Sequence, residues 1–132
     1  MKSENHPVKL YDTTLRDGNQ AIGISLSLSD KLRIAEKLSD LGIHYIEGGW
    51  PNSTNTVDTE FYRKAATLNL QAKIAAFGST RRPGVKASDD HFLLNLVKTG
   101  APVATIFGKS WDLHVTKVIG TSYEENLDMI GE

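Results

Sequence analysis

The sequence contains no cysteine, which excludes a disulfide scaffold, a thiolate nucleophile and a cysteine-bound zinc ion or iron–sulfur cluster. No apolar run reaches membrane-spanning length, and the opening residues Met1 to Pro7 lack the hydrophobic segment of a signal peptide. Basic residues are scattered, with Arg81-Arg82 as one adjacent pair, so the positive patch of a nucleic-acid-binding protein is missing. We therefore expect a cytoplasmic protein that binds neither membranes nor nucleic acids.

The remaining composition is that of a soluble globular domain, with 39% hydrophobic residues, 23% charged residues and a net charge of -1. Strand-like and helix-like segments alternate at intervals of about 30 residues, which predicts a parallel α/β sheet with right-handed crossovers. The predicted strands cover residues 9–14, 43–47, 72–77 and 102–107. We treat residues 1–132 as one domain.

Helix signals lie between these strands. Ser27 and Asp30 resemble a capping box at the start of the first helix, and Gly42 can end it. The second helix is predicted over 58–68, the third after Asp89 or Asp90, and the fourth after a connection over 108–120. The apolar positions expected to face the core are Leu28, Leu32, Ala35, Leu38 and Leu41 in the first helix, Phe61, Ala65 and Leu68 in the second, and Leu93, Leu96 and Val97 in the third.

Polar residues follow each predicted strand, at the sheet edge where parallel α/β folds form their ligand sites. Arg16-Asp17 follow the first strand and Glu47 closes the second. Residues 79–82 follow the third strand and residues 109–114 the fourth. An arginine, an aspartate and a glutamate at one edge could hold a divalent metal and stabilise a developing oxyanion.

Each of these residues also has a purely structural explanation. Asp17 before a glycine is an ordinary turn signal, and Glu47 could be a buried partner for Arg16. The pair at 81–82 could belong to a solvated surface, and His114 could pack on Trp111. The residue types and their spacing alone do not decide between these alternatives and a catalytic site.

Four segments of the sequence resemble one enzyme family. Residues 10–20, LYDTTLRDGNQ, are similar to the opening signature of the family that includes citramalate, 2-isopropylmalate and homocitrate synthases and hydroxymethylglutaryl-CoA lyase. Residues 46–51, 77–84 and 106–114 resemble the citramalate synthase branch more than the isopropylmalate branch. The resemblance implies the first four β/α units of a (β/α)8 TIM-type barrel, the N-terminal half of a catalytic domain.

The resemblance also implies an activity. The family condenses acetyl-CoA with a 2-oxo acid on a divalent metal, Mg²⁺, Mn²⁺ or Zn²⁺, and this branch implies pyruvate as the 2-oxo acid, citramalate as the product and isoleucine synthesis as the pathway. Asp17 is then expected to be a metal ligand, Arg16 to face the oxygen on which charge develops, and Glu47 to hold Arg16. Gln20 and His114 match positions close to the substrates.

We further expect the segment Ser79-Thr80-Arg81-Arg82 to bind substrate, with the two arginines contacting a substrate carboxylate or a CoA phosphate. The two enzyme alternatives, 2-isopropylmalate synthase and homocitrate synthase, differ in the 2-oxo acid that the pocket accepts. The alternative from another class is a non-catalytic half-barrel that binds or regulates a partner.

Part of the family's site is not in this sequence. The family supplies a His-x-His pair to the metal from late strands, and the histidines here, at 6, 44, 91 and 114, form no such pair. The chain is also about half of the roughly 250 residues of a complete barrel. We therefore expect a fragment, inactive alone, whose open sheet edges favour assembly as a homo-oligomer or with another chain.

Overall fold

The computed structural model describes residues 7–132, so the predicted lack of a signal-peptide segment before Pro7 lies outside the described residues. Four parallel strands form one sheet in the order β1-β2-β3-β4. The strands are β1 Tyr11–Asp12, β2 Tyr45–Gly49, β3 Lys73–Ser79 and β4 Val103–Phe107. The helices are α1 Leu28–Asp40, α2 Thr56–Ala65, α3 His91–Lys98 and α4 Tyr123–Gly131. This confirms the predicted alternation and gives a partial (β/α) barrel.

The first helix begins as predicted. The Ser27 hydroxyl accepts a hydrogen bond from the Asp30 backbone N–H at 3.2 Å, and the Asp30 carboxylate accepts one from the Ser27 N–H at 3.1 Å. Gly42, with a φ of +90°, follows the helix end. The buried face of α1 was predicted wrongly in part, because Leu41 is 77% exposed and the buried residues of the helix are Lys31, Ala35 and Ser39.

The second strand runs two residues farther than predicted, through Gly48 to Gly49. The register with β3 shifts between Glu47 and Gly49, and Gly49 has a φ of +142°. A Cβ atom on Gly49 would collide with the carboxylate of Asp58, so only glycine fits this approach. The next helix starts at Thr56 instead of Asp58, because the Asn55 side chain caps it by accepting from the Asp58 N–H at 3.0 Å.

The second half of the chain differs from expectation in two places. The connection over 108–120, for which we predicted no helix, contains a π-helical segment, His114–Ile119. On α3, which Asp90 caps by accepting from the Phe92 N–H at 2.8 Å, Val97 is 78% exposed although we predicted that it faces the core. No helix within residues 7–132 meets the length and apolarity that a membrane span requires.

The two faces of the sheet have different characters. The face toward the helices carries the apolar core, which includes Leu15, Ala35, Ile46, Phe61, Ile74, Ala76 and Leu96. The opposite face carries Tyr11, Glu47, Phe77 and Thr105, of which Phe77 and Thr105 are paired neighbours in the β3–β4 register. This second face would line the inside of a barrel, and it holds the candidate site.

Candidate active site

The turn after β1 sets the position of Arg16. The backbone N–H groups of Arg16, Asp17 and Gly18 all point at the carbonyl oxygen of Thr13, at 3.2, 2.8 and 3.2 Å. Leu15, which is fully buried in the core, anchors this turn from the helix side. The adjacent Arg16 side chain is therefore directed to the other face of the sheet.

Arg16 and Glu47 form the ion pair at the centre of the site. The Arg16 Nε donates to Glu47 Oε1, and the Glu47 side chain is 2% exposed. Burial of an ionised carboxylate is tolerated because the guanidinium compensates its charge. The predicted grouping of Arg16 with Glu47 at the carboxyl end of the sheet is present in the structure, whereas the catalytic roles of the two residues stay predictions.

The second oxygen of this carboxylate belongs to a hydroxyl pair that sequence reasoning missed. The Tyr11 hydroxyl donates to Glu47 Oε2 at 2.6 Å and lies 2.6 Å from the Thr105 Oγ1 on β4. Burial, reinforced by the hydrogen bond to Glu47, raises the pKa of Tyr11 to about 12, so its phenol remains neutral at physiological pH. The period-two alternation of the short strands is the signal that would have placed these hydroxyls on the Glu47 face.

Aromatic rings pack against one face of the Arg16 guanidinium. The Arg16 guanidinium carbon lies 4.1 Å from the centre of the Phe77 ring, within cation–π range. Trp50, in the loop after β2, packs edge-on against Phe77 with ring centres 5.6 Å apart. The cation is thus held at its Nε edge by Glu47 and on one face by Phe77.

Asp17 is the exposed member of the group. Its Oδ1 accepts from the Arg16 NH1 at 2.9 Å, and its side chain is 63% exposed. Carboxylate oxygen is a suitable ligand for Mg²⁺ or Mn²⁺ and is also used by Zn²⁺. However, residues 7–132 contain no group of three or more His, Asp or Glu side chains placed to hold an ion. The donor set therefore fits a metal as one ligand and does not form a complete site.

The remaining predicted substrate residues lie along the same sheet edge without joining the ion pair. Gln20 is exposed at the end of the short 3₁₀ helix Gly18–Gln20. Ser79 ends β3 half-buried, and the next residue, Thr80, bonds through its N–H to the Phe107 carbonyl at 3.1 Å. His114 begins the π-helical segment and packs edge-on against Trp111, with ring centres 4.7 Å apart.

Arg81 is engaged by α4. Its NH1 donates to Glu125 Oε1 at 2.7 Å, its Nε lies 2.5 Å from Glu132 Oε2, and only 8% of its side chain is exposed. The alternative that Arg81 belongs to a solvated surface is therefore wrong, because two carboxylates cover its side chain. The predicted contact with substrate stays a prediction.

Arg82 turns the other way. Its Nε and its backbone N–H both donate to Asp90 Oδ2, at 3.1 and 2.8 Å, and its guanidinium lies 5.4 Å from the Phe92 ring centre. The two bonds tie the loop after β3 to the start of α3. The side chain remains 43% exposed, so a substrate role stays a prediction for it as well.

A second buried ion pair, also missed from the sequence, fixes the loop that carries Trp50. The Lys31 ammonium, fully buried, pairs with Asp58 Oδ1, and Asp58 Oδ2 accepts from the Trp50 N–H at 2.9 Å and from the Asn55 amide at 2.8 Å. A lysine in register with the buried Ala35 was the available signal, since positions i and i+4 share one helix face.

The site is therefore a preorganised cation at the carboxyl edge of a parallel sheet, with a carboxylate beside it. The Arg16 bonds use Nε and NH1, and no bond from NH2 is formed within residues 7–132. A guanidinium fixed in this way can present its remaining N–H groups to a developing oxyanion without reorganising.

Comparison with known proteins places the chain among related sequences. The HMGL-like family model matches residues 7–132. The (R)-citramalate synthase of Aquifex aeolicus is 60% identical over 126 residues, 95% of this chain and 24% of that protein, and that of Geobacter sulfurreducens is 56% identical over 93% of this chain and 23% of that protein. The 2-isopropylmalate synthase of Sulfolobus acidocaldarius is 34% identical over 95% of this chain and 30% of that protein. The chain spans about a quarter of the length of the citramalate synthases that it matches.

Proposed function

This chain belongs to the HMGL-like family, and we propose that it supplies the first four β/α units of the catalytic barrel of a citramalate synthase. The full-length enzyme, meaning the longer protein that carries this chain, then transfers the acetyl group of acetyl-CoA to pyruvate. The higher identity to citramalate synthases, 46–60%, than to 2-isopropylmalate and homocitrate synthases, 33–34%, supports pyruvate as the 2-oxo acid.

The observation that carries this proposal is the buried Arg16–Glu47 pair beside the exposed Asp17 carboxylate. In condensation, a carbon–carbon bond forms between the acetyl methyl carbon, which loses a proton, and the keto carbon of pyruvate. Negative charge develops on the keto oxygen, which then takes up a proton, and hydrolysis of the thioester by water releases free CoA. A guanidinium fixed in a site that excludes water stabilises that charge more than the neutral ground state, which lowers the barrier.

Asp17 is proposed as the one ligand that this segment gives to a divalent metal, whose other ligands would come from the rest of the barrel. When bound, such a metal supplies Lewis-acid polarisation of the 2-oxo acid. Within this chain, Glu47 orients Arg16, and Arg16 restrains Asp17 through the NH1 contact at 2.9 Å. The alternative ligand, Glu47, is already committed to Arg16 and Tyr11.

We extend the proposal to the other residues of this edge. Gln20 and His114 would border the substrates, and the segment from Ser79 to Arg82 would line the substrate-binding site. Arg82, the more exposed of its two arginines, would contact substrate, whereas Arg81 would hold the segment in place. The enzyme would be cytoplasmic and would assemble as a homo-oligomer. These assignments rest on position and on family resemblance.

The test is to assay the purified full-length enzyme with acetyl-CoA and, separately, pyruvate, 2-oxoisovalerate and 2-oxoglutarate, following the release of free CoA thiol. The expected result is that pyruvate gives the highest kcat/KM. A higher value with 2-oxoisovalerate would identify a 2-isopropylmalate synthase, and one with 2-oxoglutarate a homocitrate synthase. If none of the three 2-oxo acids causes CoA release, the enzymatic proposal is overturned and a binding module is favoured.

A further inference from the structure

The carboxylate of Glu47 has two oxygens that need partners, because the side chain is 2% exposed and no water shell can satisfy them. Arg16 serves Oε1. Within residues 7–132, the one hydrogen bond to Oε2 is the 2.6 Å bond from the Tyr11 hydroxyl. Without that hydroxyl, half of the carboxylate would be buried without a donor.

The direction of the hydrogen bonds around Tyr11 follows from proton counting. An ionised carboxylate can only accept, so the single phenolic proton of Tyr11 is committed to Glu47. The Tyr11 oxygen also lies 2.6 Å from the Thr105 oxygen, and the bond between them must then be donated by Thr105. The chain of donors runs from Thr105 on β4 to Tyr11 on β1 and then to Glu47 on β2.

This chain of bonds ends at Arg16, whose Nε donates to the other oxygen of the same carboxylate. A carboxylate held at both oxygens cannot rotate, and an arginine held by such a carboxylate keeps one orientation. We propose that Tyr11 and Thr105 are positioning residues that lock Glu47, and through it the guanidinium of Arg16, in the orientation used for charge stabilisation. This inference rests on the proposed function and extends it by two residues.

The experiment uses three nearly isosteric variants of the full-length enzyme. Tyr11→Phe and Thr105→Val each remove one hydroxyl of the chain, and Thr105→Ser keeps the hydroxyl while removing a methyl group. Tyr45→Phe is the matched control, since Tyr45 stacks on Tyr11 with ring centres 6.2 Å apart and its hydroxyl makes no hydrogen bond within residues 7–132.

We expect Tyr11→Phe to lower kcat by about 10- to 100-fold, the effect of losing one hydrogen bond to a buried charged group, with the KM for the 2-oxo acid nearly unchanged. Thr105→Val should lower kcat less, and Thr105→Ser and Tyr45→Phe should stay close to wild type. Because Thr105 acts through Tyr11, adding Thr105→Val to Tyr11→Phe should cause no further loss.

A second readout does not depend on turnover. Exchange of the Arg16 Nε–H proton with solvent, measured by NMR, should become about tenfold faster in Tyr11→Phe and stay unchanged in Tyr45→Phe. Unchanged exchange and kcat in Tyr11→Phe would overturn the inference while leaving the proposed function intact. Additive losses in the double variant would overturn the assigned order of the chain. Wild-type enzyme without condensation activity would refute the proposed function, and the exchange measurement would still decide the role of Tyr11.

Discussion

Two arginines, Arg16 and Arg81, follow strands of the same sheet. Their surroundings differ, and the difference distinguishes a candidate active-site residue from a structural one. Arg16, after β1, is held by a carboxylate from the neighbouring strand, rests on an aromatic ring and has 20% of its side chain exposed. Arg81, after β3, is enclosed by the carboxylates of Glu125 on α4 and Glu132 just after it, and 8% of its side chain is exposed. Within residues 7–132, the first guanidinium pairs with a carboxylate on the neighbouring strand, whereas the second connects the loop after β3 to the last helix.

The two hydrogen-bond networks have different structural results. The α4 carboxylate of Glu125 also accepts from the Gly84 N–H at 2.9 Å, and Glu132 accepts from the Ala87 N–H at 3.0 Å, so this network closes the loop after β3 onto the helix. The network around Arg16 instead aims a cation and an exposed carboxylate away from the core. We interpret the region around Arg16 as half of an active site and the region around Arg81 as a structural network that is complete within this chain.

The largest effect should appear when the chain is studied alone. If the region around Arg16 is half of a site, one exposed carboxylate cannot organise a tight metal centre, and we expect no condensation activity and no stoichiometric divalent metal. The exposed apolar residues of β4, including Phe107 at 50% exposure, should also drive self-association.

Thiol release, metal analysis and light scattering on the isolated chain would check these three expectations. A monomer carrying one tightly bound divalent ion would contradict the division into an incomplete and a complete region.

The next effect compares the two arginines in the full-length enzyme. Arg16→Lys keeps the charge but loses the planar fork of donors, so kcat should fall by about 10²- to 10³-fold with little change in the thermal midpoint. Arg81→Lys should give the opposite pattern, with a lower thermal midpoint and kcat close to wild type, because one ammonium cannot satisfy two carboxylates and the loop at once. Similar losses of kcat in both variants would place Arg81 in the catalytic site and remove the contrast.

The contrast between the regions also explains what the sequence allowed us to predict. The Arg16–Glu47 pair was predictable, because both residues end adjacent parallel strands and such ends meet at one edge. The partners of Arg81 were not predictable, since Glu125 and Glu132 lie more than 40 positions away, in and just after a helix whose placement the local sequence does not determine.

Buried polar pairs were missed for a related reason. Lys31 shares a face of α1 with Ala35, but lysine and aspartate side chains are ordinarily expected in solvent, and the burial of Lys31 with Asp58 follows from how α1 and α2 pack. The strand ends were misplaced where glycine extends β2, because a Gly-Gly-Trp-Pro sequence is also a strong turn signal. Local sequence determined which elements form, and tertiary packing determined which charges they enclose.

The smallest expected effect is the response to low pH, which tests whether the charge of Glu125 stabilises the region around Arg81. The hydrogen bond from Arg81, aided by the Gly84 N–H, lowers the pKa of Glu125 below its ordinary value of 4.5. A carboxyl group with a depressed folded pKa contributes stability that is present above the unfolded pKa and is lost as pH falls through the folded pKa. In the full-length enzyme, α4 should therefore lose protection from amide hydrogen exchange below about pH 4.5. Glu125→Gln should show weaker protection of α4 at neutral pH, and this protection should change less on acidification.

Glu36→Gln, on the exposed side of α1, is the matched control and should follow wild type. If Glu125→Gln and wild type lose α4 protection along the same pH curve, the network around Arg81 is not held by the Glu125 charge, and its contrast with the Arg16 region would then rest on burial alone.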